Sequence, residues 1–219
     1  FQHYSACSKL MMEVLSEFGP MSPASLDEAY ISLTSYCTTN GISPAMAAEK
    51  MRAQVMEKTG LTVSAGVSSN ALLSKIAADF NKPNGQFVVG PTKSDAIQFM
   101  GQLSIRKVPG IGRVTERWLN GIGVEKVEDI FRLRGKLYLI VRFIFIPCFC
   151  IRIESVITKA DYCSFNYMIQ RKEIGLTFLL RTYLGLGHTT IEHSKREDRK
   201  SVGTERTFSA ISTTGEFYA

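Results

Sequence analysis

Val63-Ser64-Ala65-Gly66-Val67-Ser68-Ser69-Asn70-Ala71-Leu72-Leu73-Ser74-Lys75-Ile76-Ala77-Ala78-Asp79-Phe80-Asn81-Lys82-Pro83-Asn84-Gly85-Gln86-Phe87-Val88-Val89 is the stretch that decides the fold. From Leu61 to Val67 apolar residues alternate with small or polar ones, the period of a strand. Ser68-Ser69-Asn70 then offers N-cap oxygens to a helix through Leu72, Leu73, Ile76 and Ala77. Lys75 falls on that helix, away from the Leu72–Ile76 stripe. Asn81-Lys82-Pro83-Asn84-Gly85 carries turn chemistry, and Gln86-Phe87-Val88-Val89 reads as a second strand. Strand, helix and strand in this order predict an α/β layer with helices on one face of a mixed sheet.

Upstream, Ser25-Leu26-Asp27-Glu28-Ala29-Tyr30-Ile31-Ser32-Leu33 places two adjacent carboxylates in a strand-like run. On an extended strand the two would face opposite sides. Oxygen donors of this kind hold hard cations such as Mg²⁺, usually one or two carboxylates with substrate phosphates completing the shell. The plainer reading of the pair is a solvated turn. Residues 3–18 read as an amphipathic helix through Tyr4, Leu10, Met11, Val14, Leu15 and Phe18, stopped by Gly19-Pro20. Ser43-Pro44 starts another, with Pro at its first position and Met51 and Val55 on one face.

Downstream, Ser94 is expected to cap a short helix containing Ile97, Phe99 and Met100. Lys107-Val108-Pro109-Gly110-Ile111-Gly112-Arg113 then reads as a glycine hairpin opening a helix. Backbone amides at such a hairpin approach a phosphate closely, and Lys107 and Arg113 add charge. The plainer reading is an ordinary helix–helix turn.

Composition sets wider bounds. The chain has 219 residues, 45% hydrophobic and 21% charged, which is globular rather than disordered. A formal charge of +6 permits a polyanionic partner without demanding one. Five cysteines, at 7, 37, 148, 150 and 163, form no C-x-x-C pair, so neither a zinc ribbon nor a redox motif is indicated. His188 and His193 read as surface residues. No secretory signal precedes Gln2-His3-Tyr4.

The ordered pieces SLDEAY, VSAGVSSNALLSKIAADFNKPNGQFVV and VPGIGRVTERWLNGIGV resemble the Y-family translesion DNA polymerases, in particular the kappa-type members of the DinB branch. FLLRTYLGLG and SVGTERTF extend the likeness, which covers about residues 1–134 and 178–219. It implies an α+β chain in three parts. Residues 1–91 would be a partial palm, a mixed sheet with helices. Residues 92–187 would be a small helical thumb with a helix-hairpin-helix, and 198–219 the start of a little finger domain whose first strand is Thr204–Phe208.

The resemblance also implies roles. Asp27 and Glu28 match the later carboxylate pair that, with an earlier Asp, holds two Mg²⁺ ions. Lys75 matches the lysine that contacts the nucleotide triphosphate. Lys107, Pro109, Gly110, Ile111, Gly112 and Arg113 match the hairpin that grips duplex backbone, and Lys200 and Ser201 lead into a strand beside template DNA. Asn81, Lys82 and Pro83 match too, with a role in shaping the turn. The implied activity is template-directed addition of deoxynucleotides to a primer 3′ end, in the nucleus. The implied partners are primer-template DNA, deoxynucleoside triphosphates and, through other regions, a sliding clamp, with no membrane.

The family's early Asp, fingers and sugar gate correspond to sequence ahead of Phe1, so the chain is expected to be incomplete. The segment from Lys136 to Thr177 fits nothing in the family. Leu137–Ile151 is apolar and interrupted by Arg142 and Pro147, too short and broken for a membrane span. Its preferred reading is a translated intron or gene-model error, expected to pack poorly or be disordered; a lineage-specific buried insertion is the alternative. Three functional classes follow: part of a polymerase, a non-catalytic DNA-binding fragment, or a defective product.

Overall fold

The computed structural model describes residues 2–144 and 175–190. Lys200, Ser201, the strand expected at Thr204–Phe208 and most of the anomalous segment lie outside the described residues.

Helix α1 (Gln2–Ser16) buries Met11, Val14 and Leu15 and leaves Tyr4 and Leu10 exposed. It leads through Phe18 and Gly19 into an antiparallel hairpin of β1 (Met21–Pro23) and β2 (Ala29–Ile31), registered Met21 to Ile31 and Pro23 to Ala29. Helix α2 (Thr34–Asn40) follows, then α3 (Pro44–Thr59), which begins with Pro44 at its first position and Ser43 Oγ accepting from Met46 N. Both features meet the needs of a helix start, where a missing N–H costs nothing and an orphan donor needs an oxygen. A first core forms where α1 and α3 face each other: Met11, Val14, Leu15 and Phe18 against Met51 and Val55, with Ile31, Tyr36 and Val63 packed at its edge.

Strands β3 (Ala65–Val67) and β4 (Gln86–Val88) pair in parallel, with α4 (Ala71–Ala77) crossing between them. Asn70 caps α4, its Oδ1 accepting from Leu73 N at 3.1 Å. Gly66 lets α4 lie close on β3, since a Cβ there would fall 2.0 Å from the Ser74 carbonyl oxygen. The single mixed sheet expected from the sequence is, among the described residues, two separate two-stranded sheets, one antiparallel and one parallel. All four strands are three residues long.

The rest of the described chain is helical: α5 (Lys93–Gly101), a 3₁₀ turn (Ile105–Lys107), α6 (Arg113–Gly121), α7 (Val127–Arg132), α8 (Arg134–Ile144) and α9 (Leu176–Tyr183). The cap of α5 is Thr92 rather than Ser94: Thr92 and Asp95 exchange side-chain and backbone bonds in a capping box, and Ser94 falls inside the helix. These helices share a second, larger core that includes Met100, Ile105, Val108, Ile111, Leu119, Val127 and Ile130. Leu73, Ile76 and Ala77 of α4 bury into this same core, which ties the lysine-bearing helix to the helical half.

The anomalous segment opens as ordinary structure. Leu137 of α8 is buried and Lys136 Nζ donates to the Ile122 carbonyl, while Tyr138 and Leu139 are exposed. This start is amphipathic, where poor packing was expected; helix α8 runs on from α7 through the Leu137 N to Leu133 O bond. Among the described residues no helix is long and apolar enough to cross a membrane.

Candidate active site and nucleic-acid interface

Asp27 and Glu28 stand in the turn that joins β1 to β2, not in the middle of a strand. The Glu28 carbonyl closes that turn by accepting from Ala24 N at 2.8 Å and Ser25 N at 3.1 Å. Pairing resumes only at Ala29, and Leu26, which looked like a strand residue, is 47% exposed. The carboxylates therefore sit on a hairpin tip next to the first paired residue of β2, reachable from solvent.

Ser25 Oγ donates to Asp27 Oδ1 at 2.6 Å and accepts from Asp27 N at 3.3 Å. The serine hydroxyl is the largest cause holding the Asp27 carboxyl below its usual range; burial opposes it, and the backbone amide and the charges of Lys75 and Lys82 add to the lowering. Asp27 is consequently ionised at neutral pH, the form a hard cation requires.

Helix α4 brings Lys75 to this tip from a distant part of the chain: its Nζ donates to Glu28 Oε1. Both side chains keep substantial exposure, 36% and 45%, so the pair is screened and exchangeable rather than a buried structural bridge. The next turn of chain brings Lys82, which pairs with Asp79 at 2.6 Å. The Asp79 carboxylate raises Lys82 above the ordinary lysine value, and the charges of Glu28 and Asp27 add to the effect. Sequence reasoning gave Lys82 only a turn-shaping part and missed this charge.

The donor set suits Mg²⁺ in a limited sense. Two adjacent carboxylates offer oxygen ligands at an open edge, with room for phosphate oxygens and water to complete a shell. Among the described residues no group of three or more His, Cys, Asp or Glu stands together as a complete metal site. The pair fits a cation shared with a phosphate-bearing substrate, not a cage built by the protein alone.

The glycine hairpin is placed differently. Val108 and Ile111 are both 2% exposed and anchor it in the larger core. Gly110 carries a positive φ of 93°, which a side chain would strain, and Gly112 is the N-cap residue of α6 with open space where a Cβ would stand. Lys107, Pro109, Gly110, Gly112 and Arg113 are exposed, so the hairpin offers backbone and two cations to solvent while Ile111 serves as its root. Arg106, which the sequence pattern does not single out, fastens the loop: Nη1 donates to the Ile111 carbonyl and Nε lies 3.5 Å from Glu116 Oε2. His188 is exposed, as expected, and its carbonyl accepts from Ala71 N at the start of α4.

The sequence and the fold both have known counterparts. Residues 1–79 match the profile of the impB/mucB/samB family, and residues 93–124 match the IMS family HHH motif. DNA polymerase kappa of Arabidopsis thaliana is 35% identical over 212 residues, covering 96% of this chain and 27% of the plant protein. That alignment runs across residues 136–177. DNA polymerase IV of Shewanella amazonensis is 41% identical over 128 residues, covering 58% of this chain and 35% of the bacterial one. Among solved structures, a Y-family DNA polymerase chimera superposes with a TM-score of 0.63 at 28% identity, covering 89% of this chain and 48% of the chimera. DinB from Sulfolobus solfataricus gives 0.56 at 31% identity, covering 78% and 46%. The chain thus spans about a quarter to a half of the length of these relatives. Two matched profiles in the family's order, over a carboxylate tip, a lysine helix and a helix-hairpin-helix in one fold, place the chain in the Y-family of DNA polymerases.

Proposed function

We propose that this chain supplies the carboxylate tip and the duplex-gripping hairpin of a template-directed DNA polymerase acting in translesion synthesis and repair. Its substrates would be primer-template DNA and deoxynucleoside triphosphates, and its place of work the nucleus. Residues 1–91 would serve as part of a palm, 92–187 as the thumb and 198–219 as the start of a little finger domain. A sliding clamp would be met through other regions.

The observation that carries the reading is the meeting of Lys75 with Glu28, 47 residues apart in sequence. Two pieces that separately read as a solvated lysine and a solvated turn converge on one exposed point. That point offers anionic oxygens for a cation and an ammonium for a phosphate. A lysine is suited to such a task as a compact, mobile charge. Until substrate arrives, Glu28 keeps Lys75 at the tip; an incoming triphosphate would take over the ammonium and leave the carboxylate free to bind a cation.

Asp27 and Glu28 would hold the Mg²⁺ ions, whose chemistry is to activate an attacking oxygen and steady a leaving pyrophosphate. The hairpin would seat a duplex phosphate on exposed backbone at Gly110 and Gly112, with Lys107 and Arg113 beside it. Contacts of this kind position DNA without reading its sequence.

Primer extension tests the proposal. The longest form that the gene encodes should extend a primer opposite template only with Mg²⁺ and deoxynucleotides. Lys75→Ala should raise KM for the nucleotide by about tenfold or more, the scale of a hydrogen bond to a charged group, and leave DNA affinity little changed. DNA binding without any Mg²⁺-dependent extension would instead establish a non-catalytic DNA-binding chain.

A further inference from the structure

The segment that leaves α9, Leu184-Gly185-Leu186-Gly187-His188, returns as a strap to the first turn of α4, the helix that carries Lys75. Two hydrogen bonds fasten it there. Asn70 Nδ2 donates to the Gly185 carbonyl at 2.8 Å, and Ala71 N donates to the His188 carbonyl at 3.0 Å. The contact is flush. A Cβ at Gly187 would fall 2.6 Å from Asn70 Oδ1 and 2.8 Å from Leu72 Cβ, and one at Gly185 would stand 3.3 Å from Leu73 Cδ2. Asn70 thus uses both ends of its amide: Oδ1 caps the helix by accepting from Leu73 N, and Nδ2 holds the strap. Capping alone is met as well by Ser or Asp; accepting with one atom while donating with another takes an amide.

Helix α4 is short, Ala71–Ala77, so its position depends on what it packs against rather than on its own stability. Its buried face, Leu73, Ile76 and Ala77, lies in the larger core, while Lys75 pairs with Glu28. From Asn70 to Lys75 is about 7.5 Å along the helix axis, so loosening the first turn displaces the lysine. Near the start of α9, Phe178 lies against the glycine hairpin: a Cβ at Gly110 would stand 3.5 Å from its Cζ. One helix and its strap therefore join the hairpin to the lysine-bearing helix.

We propose that Asn70 is a positioning residue for nucleotide binding: by tying α4 to the strap at 184–188, it fixes where Lys75 meets a triphosphate. This rests on the polymerase reading above. Asn70 itself touches no substrate; it acts through Lys75.

The experiment is steady-state primer extension by the longest encoded form, with Asn70→Asp, Asn70→Ser, Gly187→Ala, Lys75→Ala and the double variant of Asn70→Asp with Lys75→Ala. The first two keep a capping oxygen and lose the amide donor, and agreement between them excludes the added charge as the cause. Both should raise KM for the nucleotide by about fivefold, the scale of one hydrogen bond, with kcat within about threefold. DNA affinity and melting temperature should stay near those of the unaltered protein. Gly187→Ala, which presses on Asn70 from the strap, should raise KM in the same direction. In the Lys75→Ala background, Asn70→Asp should move KM by less than about twofold, since the group it positions is gone. An undiminished rise in that background would overturn the proposal. So would an unmoved KM in Asn70→Asp, Asn70→Ser and Gly187→Ala, or a fall in DNA affinity in place of the KM rise. Unfolding of both Asn70 variants would overturn it too, by making Asn70 a prop of the fold alone. Absence of extension by the unaltered protein would sink the polymerase reading and this one with it, whereas normal extension with KM unmoved by the Asn70 variants would sink this one alone.

Discussion

The turn at 24–28 exposes its carboxylates and closes on polar contacts, whereas the hairpin at 108–112 sinks Val108 and Ile111 into the larger core and exposes only its rim. At the first, the contacts of Asp27 with Ser25 and of Glu28 with Lys75 are hydrogen bonds and an ion pair in reach of water, individually weak and easily exchanged. At the second, buried aliphatic side chains and the Arg106 bond to the Ile111 carbonyl hold the loop in one shape. The difference matches the tasks proposed for them. A tip that must trade partners with cations and phosphates cannot be held by a buried bridge. A hairpin that positions a duplex backbone works best when its amides are fixed in advance.

The largest effect should come from the tip. Asp27→Ala should abolish nearly all Mg²⁺-dependent extension, about a thousandfold or more, since a metal ligand accounts for several kcal/mol of transition-state stabilisation. Thermal stability and DNA affinity should stay near those of the unaltered protein, because among the described residues the side chain's hydrogen bond is a local one to the neighbouring, solvent-reached Ser25. Equal losses of activity and stability would erase the contrast between the two regions.

Ile111→Ala should do the reverse. Truncating a large aliphatic side chain that is 2% exposed should cost about 2–5 kcal/mol of folding stability, read by denaturant or thermal melting. DNA binding should fall only as folding does. A stable Ile111→Ala variant that loses DNA affinity would mean that Ile111 touches DNA rather than anchoring the loop.

Much of this was legible in the sequence, and the boundary of legibility is physical. Pro44 and Asn70 announced their helices because capping is local: the groups that need each other lie within one turn. The Gly110–Gly112 hairpin was legible for the same reason. The expected Ser94 cap lost to Thr92 because Asp95 lies three residues after Thr92, completing a reciprocal pair that Ser94 cannot make. The run from Ser25 to Leu33 looked continuous because Leu26 and Tyr30 suggest an extended strand. Its break at Glu28 is decided by a backbone closure onto Ala24 and Ser25 that no side-chain pattern encodes. The strap on Asn70, and the charge that Lys82 brings to the site, escaped altogether. Asn70 finds its second partner, Gly185, 115 residues away, and such a contact exists only once α4 and α9 have assembled.

A smaller effect should separate the hairpin's rim from its root. Replacing Lys107 and Arg113 together by Ala should flatten the plot of log affinity against log salt by about 0.9 for each phosphate that is no longer neutralised. Stability should be unaffected, since both residues are exposed. An unchanged salt slope would remove the hairpin from the DNA interface.

The smallest effect concerns Ser25. Its hydroxyl is the first cause of the lowered Asp27 carboxyl, so Ser25→Ala should move that carboxyl back up toward its ordinary range. A carboxyl lowered in the folded state contributes stability above its unfolded value and loses it as pH falls through the folded one. The variant should therefore lose Mg²⁺-dependent activity at a higher pH on the acid side, while activity at neutral pH holds. Carboxyl titration by NMR checks the shift directly.

The central claim is that Asp27, Glu28 and Lys75 make one site for a cation and a phosphate-bearing substrate. Paramagnetic broadening by Mn²⁺ in the presence of a deoxynucleoside triphosphate tests it most directly. Resonances of residues 25–29 should broaden first, those of Lys75 and Lys82 next, and the Gly110–Gly112 hairpin should stay sharp. Broadening that spares residues 25–29 and Lys75, or centres on another face of the molecule, would contradict the assignment.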